Sequence, residues 1–209
     1  DIAALGTGQI SHLSTAAIAA LTTAQAKALT TASINALTSA QVTAIETADL
    51  AAMSTAQLSK LGTALVAQLT SVQVAALTSG QVKSLNSDQV AALTSAQLNA
   101  LTSSQLPSLS TAQVRALTTD QLSKLTTTQI VGLSTAQVAA LSTGQVAALT
   151  SVQINALASD DLKALTTTQV RALTSDQLSK LSSDQIALMA TDDIAALGTG
   201  QISHLSTAA

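Results

Sequence analysis

The stretch Gln89 to Ala96 reads Gln-Val-Ala-Ala-Leu-Thr-Ser-Ala, and variants of these eight residues fill the whole chain. The 209 residues divide into 26 consecutive octads and one further residue, without insertion or deletion. With Asp1 as position one, position two is a large aliphatic residue except at Ala26, and position one is Gln in 19 octads. Position five is Leu in 23 octads, and position seven is Ser or Thr in all 26. This regularity predicts a single uninterrupted array over residues 1–209.

The composition excludes several classes of protein. The chain has no Cys, which removes disulfide scaffolds, thiolate metal sites and cysteine nucleophiles. Its 47% hydrophobic content and net charge of −3 differ from the composition of disordered chains. Only eight basic residues are present and the isoelectric point is near 5.0, so we expect no nucleic-acid partner.

An octad is incompatible with one continuous helix. Eight residues rotate about 800°, so the apolar pair would drift about 80° around the axis with each octad. A β-strand is also disfavoured, because positions two and five lie on opposite faces of a strand but on the same face of a helix. The spacing therefore favours one short helix in each octad.

The placement of charge gives that helix a direction. All eleven acidic residues occupy positions six, eight or one, whereas all eight basic residues occupy positions three or four. Negative charges favour a helix N-terminus and positive charges a C-terminus. Each helix is thus predicted to begin near position seven or eight and to end near position five.

Two residues compete for the N-cap of this helix. If position six is the cap, Leu-Thr-x-x-Gln-Val forms a capping box with a hydrophobic staple. If position seven is the cap, its restriction to Ser and Thr is explained, and Gly or Asn at position six suits a linking residue with positive φ. We favour position seven, partly because Pro107 then lies closer to a helix start. Pro107 is expected to cause a local irregularity with either cap.

Helices this short have no independent stability in water, so the octads must stack. We predict an all-α solenoid of about 26 very short helices, tightly wound as a rod and without a sheet. The aliphatic residues of positions two and five form a thin core, and Ser, Thr, Gln and Ala lie outside. The number of octads in each superhelical turn does not follow from the sequence.

Two longer periods are superimposed on the octad. The seven octads without Gln at position one all begin at residue numbers of the form 16n + 1, which indicates either a structural pair of octads or an ancestral duplication. Residues 1–17 and 193–209 are identical, at an offset of 192 residues. This identity, with Asp rather than Met at residue one, suggests a window of a longer array. The octads that lack Gln begin at Asp1, Ala17, Ser33, Asp49, Leu65, Asp161 and Asp193.

No chemistry-bearing constellation stands out. His12 and His204 occupy the same octad position within the duplicated segments, where a surface residue at a helix C-terminus explains them. The acidic pairs Asp160–Asp161 and Asp192–Asp193 lack a loop with the six to eight oxygens of a Ca²⁺ site. We therefore expect no catalytic residues, no metal, no cofactor and no enzymatic activity. Ser, Thr and Gln interrupt every apolar run, so no membrane span is expected.

Runs such as Ala76–Val82 and Leu133–Leu141 resemble the octad-repeat regions of giant proteobacterial adhesin-like surface proteins. The resemblance implies an extracellular or cell-surface protein. The unbroken octad phase, the identical ends and the near-neutral surface favour a structural homopolymer, in which solenoids stack and pack laterally into a filament or sheath. Two alternatives are a monomeric stalk that presents an adhesin domain from outside this window, and a hydroxyl-rich surface that binds carbohydrate or ice or carries O-linked sugars.

Overall fold

The octads fold into short helices throughout residues 2–205, the part of the chain that this computed structural model describes. Within these residues there are 24 α-helices, two 3-10 helices and no strand, so the predicted all-α solenoid is confirmed. The chain forms two compact units, residues 1–109 and 110–209, which we describe separately.

The first unit contains twelve α-helices between two 3-10 helices, Ile2–Ala4 and Leu106–Ser108. The α-helices are α1 Thr7–Ile10, α2 Thr15–Ala19, α3 Thr23–Ala28, α4 Thr31–Asn35, α5 Ser39–Ala44, α6 Thr47–Ala52, α7 Thr55–Ser59, α8 Thr63–Val66, α9 Ser71–Ala76, α10 Ser79–Ser84, α11 Ser87–Ala92 and α12 Ser95–Asn99.

The second unit contains twelve α-helices. They are α13 Thr111–Ala116, α14 Thr119–Ser123, α15 Thr127–Val131, α16 Thr135–Ala139, α17 Thr143–Ala148, α18 Ser151–Ala156, α19 Ser159–Lys163, α20 Thr167–Arg171, α21 Ser175–Ser179, α22 Ser183–Ala187, α23 Thr191–Ala196 and α24 Thr199–Ile202.

Every α-helix begins at position seven, and position six is its N-cap. Thr94 has extended backbone angles, φ −71° and ψ 158°, and its hydroxyl accepts a hydrogen bond from the backbone N–H of Gln97. Position seven is therefore the first helical residue, and our preference for it as the cap was wrong. Position six is the cap because the Gln at position one is then the third helical residue. From there its side chain can accept a hydrogen bond from the backbone N–H of the cap residue, which completes the capping box.

The prediction of positive φ at position six was also wrong. Among the described residues no φ is positive, and Gly62 and Asn86 have φ of −61° and −79°. The chain passes between helices through two extended residues, at positions five and six, so no left-handed residue is needed. The irregularity predicted at Pro107 is confirmed, because a 3-10 helix replaces the α-helix there.

Successive helices wind into superhelical turns within each unit. In the first unit α7 packs against α10, and in the second unit α14 packs against α17. Glutamine amides meanwhile bond to carbonyls 28 and 31 residues earlier. One turn therefore takes between three and four octads, and a helix rests over the junction between two helices of the preceding turn.

The aliphatic residues form the core as predicted. Val90 at position two and Leu93 at position five are 0% and 3% exposed, and most other octads repeat this burial. The distribution of charge also follows the helix direction. Asp88 lies in the first turn of α11, and Lys83 lies in the last turn of α10.

Candidate functional site

The glutamine at position one completes the cap of its own helix. In α12 the backbone N–H of Thr94 donates to Gln97 Oε1 over 2.6 Å, and the N–H of Gln97 donates to Thr94 Oγ1 over 3.2 Å. The same reciprocal pair recurs in the second unit, between Thr174 and Gln177. The side-chain carbonyl of this glutamine is thereby committed, and its amide NH2 remains available for a second partner.

That amide group joins neighbouring turns. Gln97 Nε2 donates to the carbonyl oxygens of Val66 and Leu69 over 2.9 and 2.6 Å. Val66 is the last residue of α8 and Leu69 lies in the segment that leads to α9, so these carbonyls lie at or just beyond a helix C-terminus, where backbone acceptors lack intrahelical partners. One side chain therefore satisfies the start of its own helix and the end of a helix one turn earlier. We call the glutamines that donate in this way within a unit the glutamine ladder: Gln41, Gln57, Gln73, Gln81, Gln89, Gln97, Gln105, Gln145, Gln153, Gln169, Gln177, Gln185 and Gln201.

Most of the ladder is buried, contrary to the sequence interpretation that Gln lies outside. Gln89 is 0% exposed and Gln177 is 2% exposed. Burial of an amide is favourable only when its donors and acceptor are paired, as they are here. The frequency of Gln at position one was the sequence signal for this burial, since a solvated position would accept Ser or Ala as readily as Gln.

Two octads that lack Gln at position one replace it with other side chains. Ser33 donates through its hydroxyl to the carbonyl of Leu5, 28 residues earlier, over 3.3 Å. In another octad Leu65 occupies position one, and Asn35 from the preceding turn supplies the bonds. The side chain of Asn35 accepts from the N–H of Gly62 over 2.8 Å and donates to the carbonyl of Lys60 over 2.6 Å. The inter-turn bonds are thus retained in different chemical forms.

Aspartate replaces glutamine without such compensation. Asp49, Asp161 and Asp193 are 4%, 4% and 6% exposed. Within residues 2–205 no fully buried side-chain oxygen lacks a partner, so their carboxylate oxygens keep contact with solvent. Burial raises the pKa of Asp49, and the nearby Glu46 raises it further. An aspartate at position one therefore removes a donor that the ladder uses elsewhere.

The hydroxyls of position seven form an exposed row. Because position six provides the caps, capping does not explain why position seven is restricted to Ser and Thr. In every described octad the position-seven residue is exposed or half-exposed, as at Thr55 and Ser87. Ser79 donates its hydroxyl to the carbonyl of Ser104 over 3.2 Å, but the row as a whole is accessible to a partner or to a modifying enzyme.

The other residues considered from the sequence do not assemble into a site. His12 and His204 are both exposed, each just beyond the end of its helix. In the acidic pairs the first residue is exposed and the second is buried. Across the described part of the chain, no three His, Cys, Asp or Glu residues group together as metal ligands. A shallow groove between α4 and α7 is lined by Thr31, Ala32, Asn35, Ala56, Ser59 and Lys60.

None of the described helices combines the length and apolar character that a membrane span requires. A single ion pair is present among residues 2–205, between Lys124 Nζ and Asp120 Oδ2 at 2.8 Å. Both side chains are more than half exposed, so this pair contributes little to stability.

Comparison with known families assigns the repeat. A family model described as the ALTTAQ repeat matches the chain in seven stretches, five of which overlap between residues 42 and 151. Residues 20–25 read Ala-Leu-Thr-Thr-Ala-Gln. Comparison with the curated proteins gave no match. The matched stretches are residues 1–31, 42–79, 75–103, 95–127, 103–135, 122–151 and 154–191.

Proposed function

The chain belongs to the ALTTAQ repeat family, and from that premise we propose that it is a structural, non-enzymatic segment of an extracellular filament or sheath. The glutamine ladder is the observation that carries this proposal. It directs the glutamine found at position one of 19 octads toward stacking one turn on another, and leaves mainly small residues at the surface. Such a surface repels a second copy only weakly.

The resemblance to proteobacterial adhesin-like surface proteins supports the same role and the extracellular location. In that setting the array is one part of a giant surface protein and associates with identical arrays. Zero Cys is compatible with this location, because the ladder needs no disulfide to hold its turns together.

Electron microscopy of the purified chain tests the proposal. Ordered fibres with several chains in cross-section are expected, at protein concentrations where light scattering also rises. Single thin particles at every concentration would instead favour a monomeric stalk that presents a domain from elsewhere in the protein.

The exposed row of position-seven hydroxyls favours a second candidate function, as a carrier of O-linked sugars. These side chains do not cap their helices, and an exposed Ser or Thr hydroxyl can be glycosylated. Intact mass spectrometry of protein purified from its native source would show added hexose masses. A mass equal to that of the bare chain removes this candidate and leaves the filament proposal unaffected.

A further inference from the structure

The charges of the first unit are confined to a subset of its helices. Between residues 2 and 109, charged side chains occur only in or next to α3, α6, α7, α10 and α11. They belong to Lys27, Glu46, Asp49, Lys60, Lys83 and Asp88.

Those five helices stack on one another. α3 packs against α6, and α7 packs against α10. The ladder adds further connections, since Gln81 on α10 donates to the carbonyl of Leu50 on α6. Gln57 on α7 donates in the same way to the carbonyl of Ala26 on α3. The charges therefore lie along one side of the first unit.

The helices α1, α2, α5, α8, α9 and α12 form a second connected set, which we call the neutral face. It borders the charged set where α9 packs against α6 and α8 packs against α11. α2 packs against α5 and α9 against α12, while ladder bonds join α5 to α1, α9 to α5 and α12 to α8. These six helices contain no Asp, Glu, Lys or Arg, and His12 follows α1. Helix α4 is also uncharged and contacts both α1 and α7.

Small side chains cover the neutral face. Position eight is exposed on three successive members of the set, at Ala40 on α5, Ala64 on α8 and Val72 on α9. Val72 is 69% exposed, the largest exposed fraction among the big aliphatic residues of the described chain. An apolar residue this exposed gains free energy when a partner covers it.

We infer that the neutral face is the lateral contact surface for a second copy of this chain, an inference that rests on the filament role proposed above. Two identical faces carry the same octad spacing, so the small side chains of one fit between those of the other along the whole contact. Neither face brings a charge that would have to be desolvated. The charged side keeps five of its six charged side chains exposed to water, and only Asp49 is buried. Apposition of the charged sides would require these charges to be desolvated.

Two triple variants test the inference. The first, Ala40→Glu with Ala64→Glu and Val72→Glu, introduces three carboxylates on the neutral face. The matched control, Ala24→Glu with Ala56→Glu and Gly80→Glu, introduces them at the same octad position on α3, α7 and α10. All six are second helical residues, where an acid is favourable, so both variants should retain the helical signal and thermal midpoint of the unmodified chain.

Assembly is measured by light scattering and electron microscopy over a range of concentrations. We expect the neutral-face variant to need at least about tenfold more protein than the unmodified chain to form laterally associated fibres. The control should assemble at close to the unmodified concentration. Equal assembly by both variants would overturn the neutral face while leaving the filament role intact, whereas failure of the unmodified chain to associate would overturn both.

Discussion

At the scale of single residues, the position-one glutamine is the most consequential side chain. Gln89 accepts from the N–H of Asn86 and donates to the carbonyls of Leu58 and Leu61 over 2.8 and 2.6 Å. No other common side chain offers a planar acceptor and two donors with this reach. Asparagine is shorter, and glutamate would place a carboxylate opposite two carbonyl oxygens.

We predict that Gln89→Ala lowers the local opening free energy of α7 and α11 by up to about 3 kcal/mol, because the carbonyl of Leu61 loses its donor. The carbonyl of Leu58 keeps its bond from the N–H of Leu61. The control is Gln25→Ala, since Gln25 caps its helix through Thr22 but its amide makes no hydrogen bond within the described chain. Amide hydrogen exchange measures both variants. Equal losses would show that capping, rather than contact between turns, is what glutamine contributes.

Asp49, which stands where the ladder has glutamine, makes the free energy of unfolding depend on pH. Its folded-state pKa is raised above the ordinary 3.8 by burial and by Glu46. Well below pH 3.8 the carboxyl is protonated in both the folded and the unfolded state and imposes no penalty. As the pH rises, Asp49 ionises in the unfolded chain before it ionises in the folded protein. The free energy of unfolding therefore falls with pH until the pH passes the raised folded-state pKa of Asp49.

Replacement of Asp49 by Gln should remove this pH dependence and raise the thermal midpoint at pH 7. Asp49→Asn is the matched control, because it removes the charge without restoring the reach of glutamine. We expect Asn to flatten the pH profile and Gln both to flatten it and to stabilise the protein further. An unchanged profile in both variants would mean that Asp49 remains well solvated in the folded state.

At the scale of the helix, each element is defined by its cap rather than by its helical propensity. The α-helices contain four to six residues and cannot form alone. Thr94→Ala should cost about 1 kcal/mol, because the N–H of Gln97 loses its acceptor. Ser95→Ala should change stability by less than about 0.5 kcal/mol, since Ser95 only occupies the first helical position. The order is checked by hydrogen exchange of α12, and a larger effect at Ser95 would contradict the assignment of the cap.

Sequence reasoning predicted the helix in each octad but assigned its cap to the wrong residue. The charges predicted its direction, since Asp88 and Lys83 are where an N-terminus and a C-terminus favour them. The cap was missed because two adjacent hydroxyls offer equivalent chemistry, and only the reach of Gln97 to Thr94 separates them. The burial of Gln was missed because its acceptors are backbone carbonyls 28 to 31 residues earlier, a distance fixed by the superhelical turn.

At the scale of the whole molecule, the sequence separation of contacting residues determines how far along the chain unfolding is cooperative. Ladder bonds join residues 28 to 31 apart, and helices pack against the third helix along the chain. Each turn is thus stabilised by its immediate neighbours, as in a one-dimensional array. The 32-residue spacing of Asp161 and Asp193 places two donor-deficient positions in consecutive turns of the second unit, where we expect its first local opening.

A buried charge in the first unit should therefore open that unit locally. Leu93 is 3% exposed between α11 and α12, and Leu93→Asp buries a carboxylate without a partner, at a cost of several kcal/mol. We expect hydrogen exchange to accelerate in α8, α9, α11 and α12, which pack together in consecutive turns, while α17 to α21 remain protected. Ala96→Asp is the control, because it adds the same carboxylate at an exposed helix start. Loss of the entire helical signal in one sharp transition would show instead that the array unfolds as a single cooperative unit. Turns that are not adjacent would then be energetically coupled.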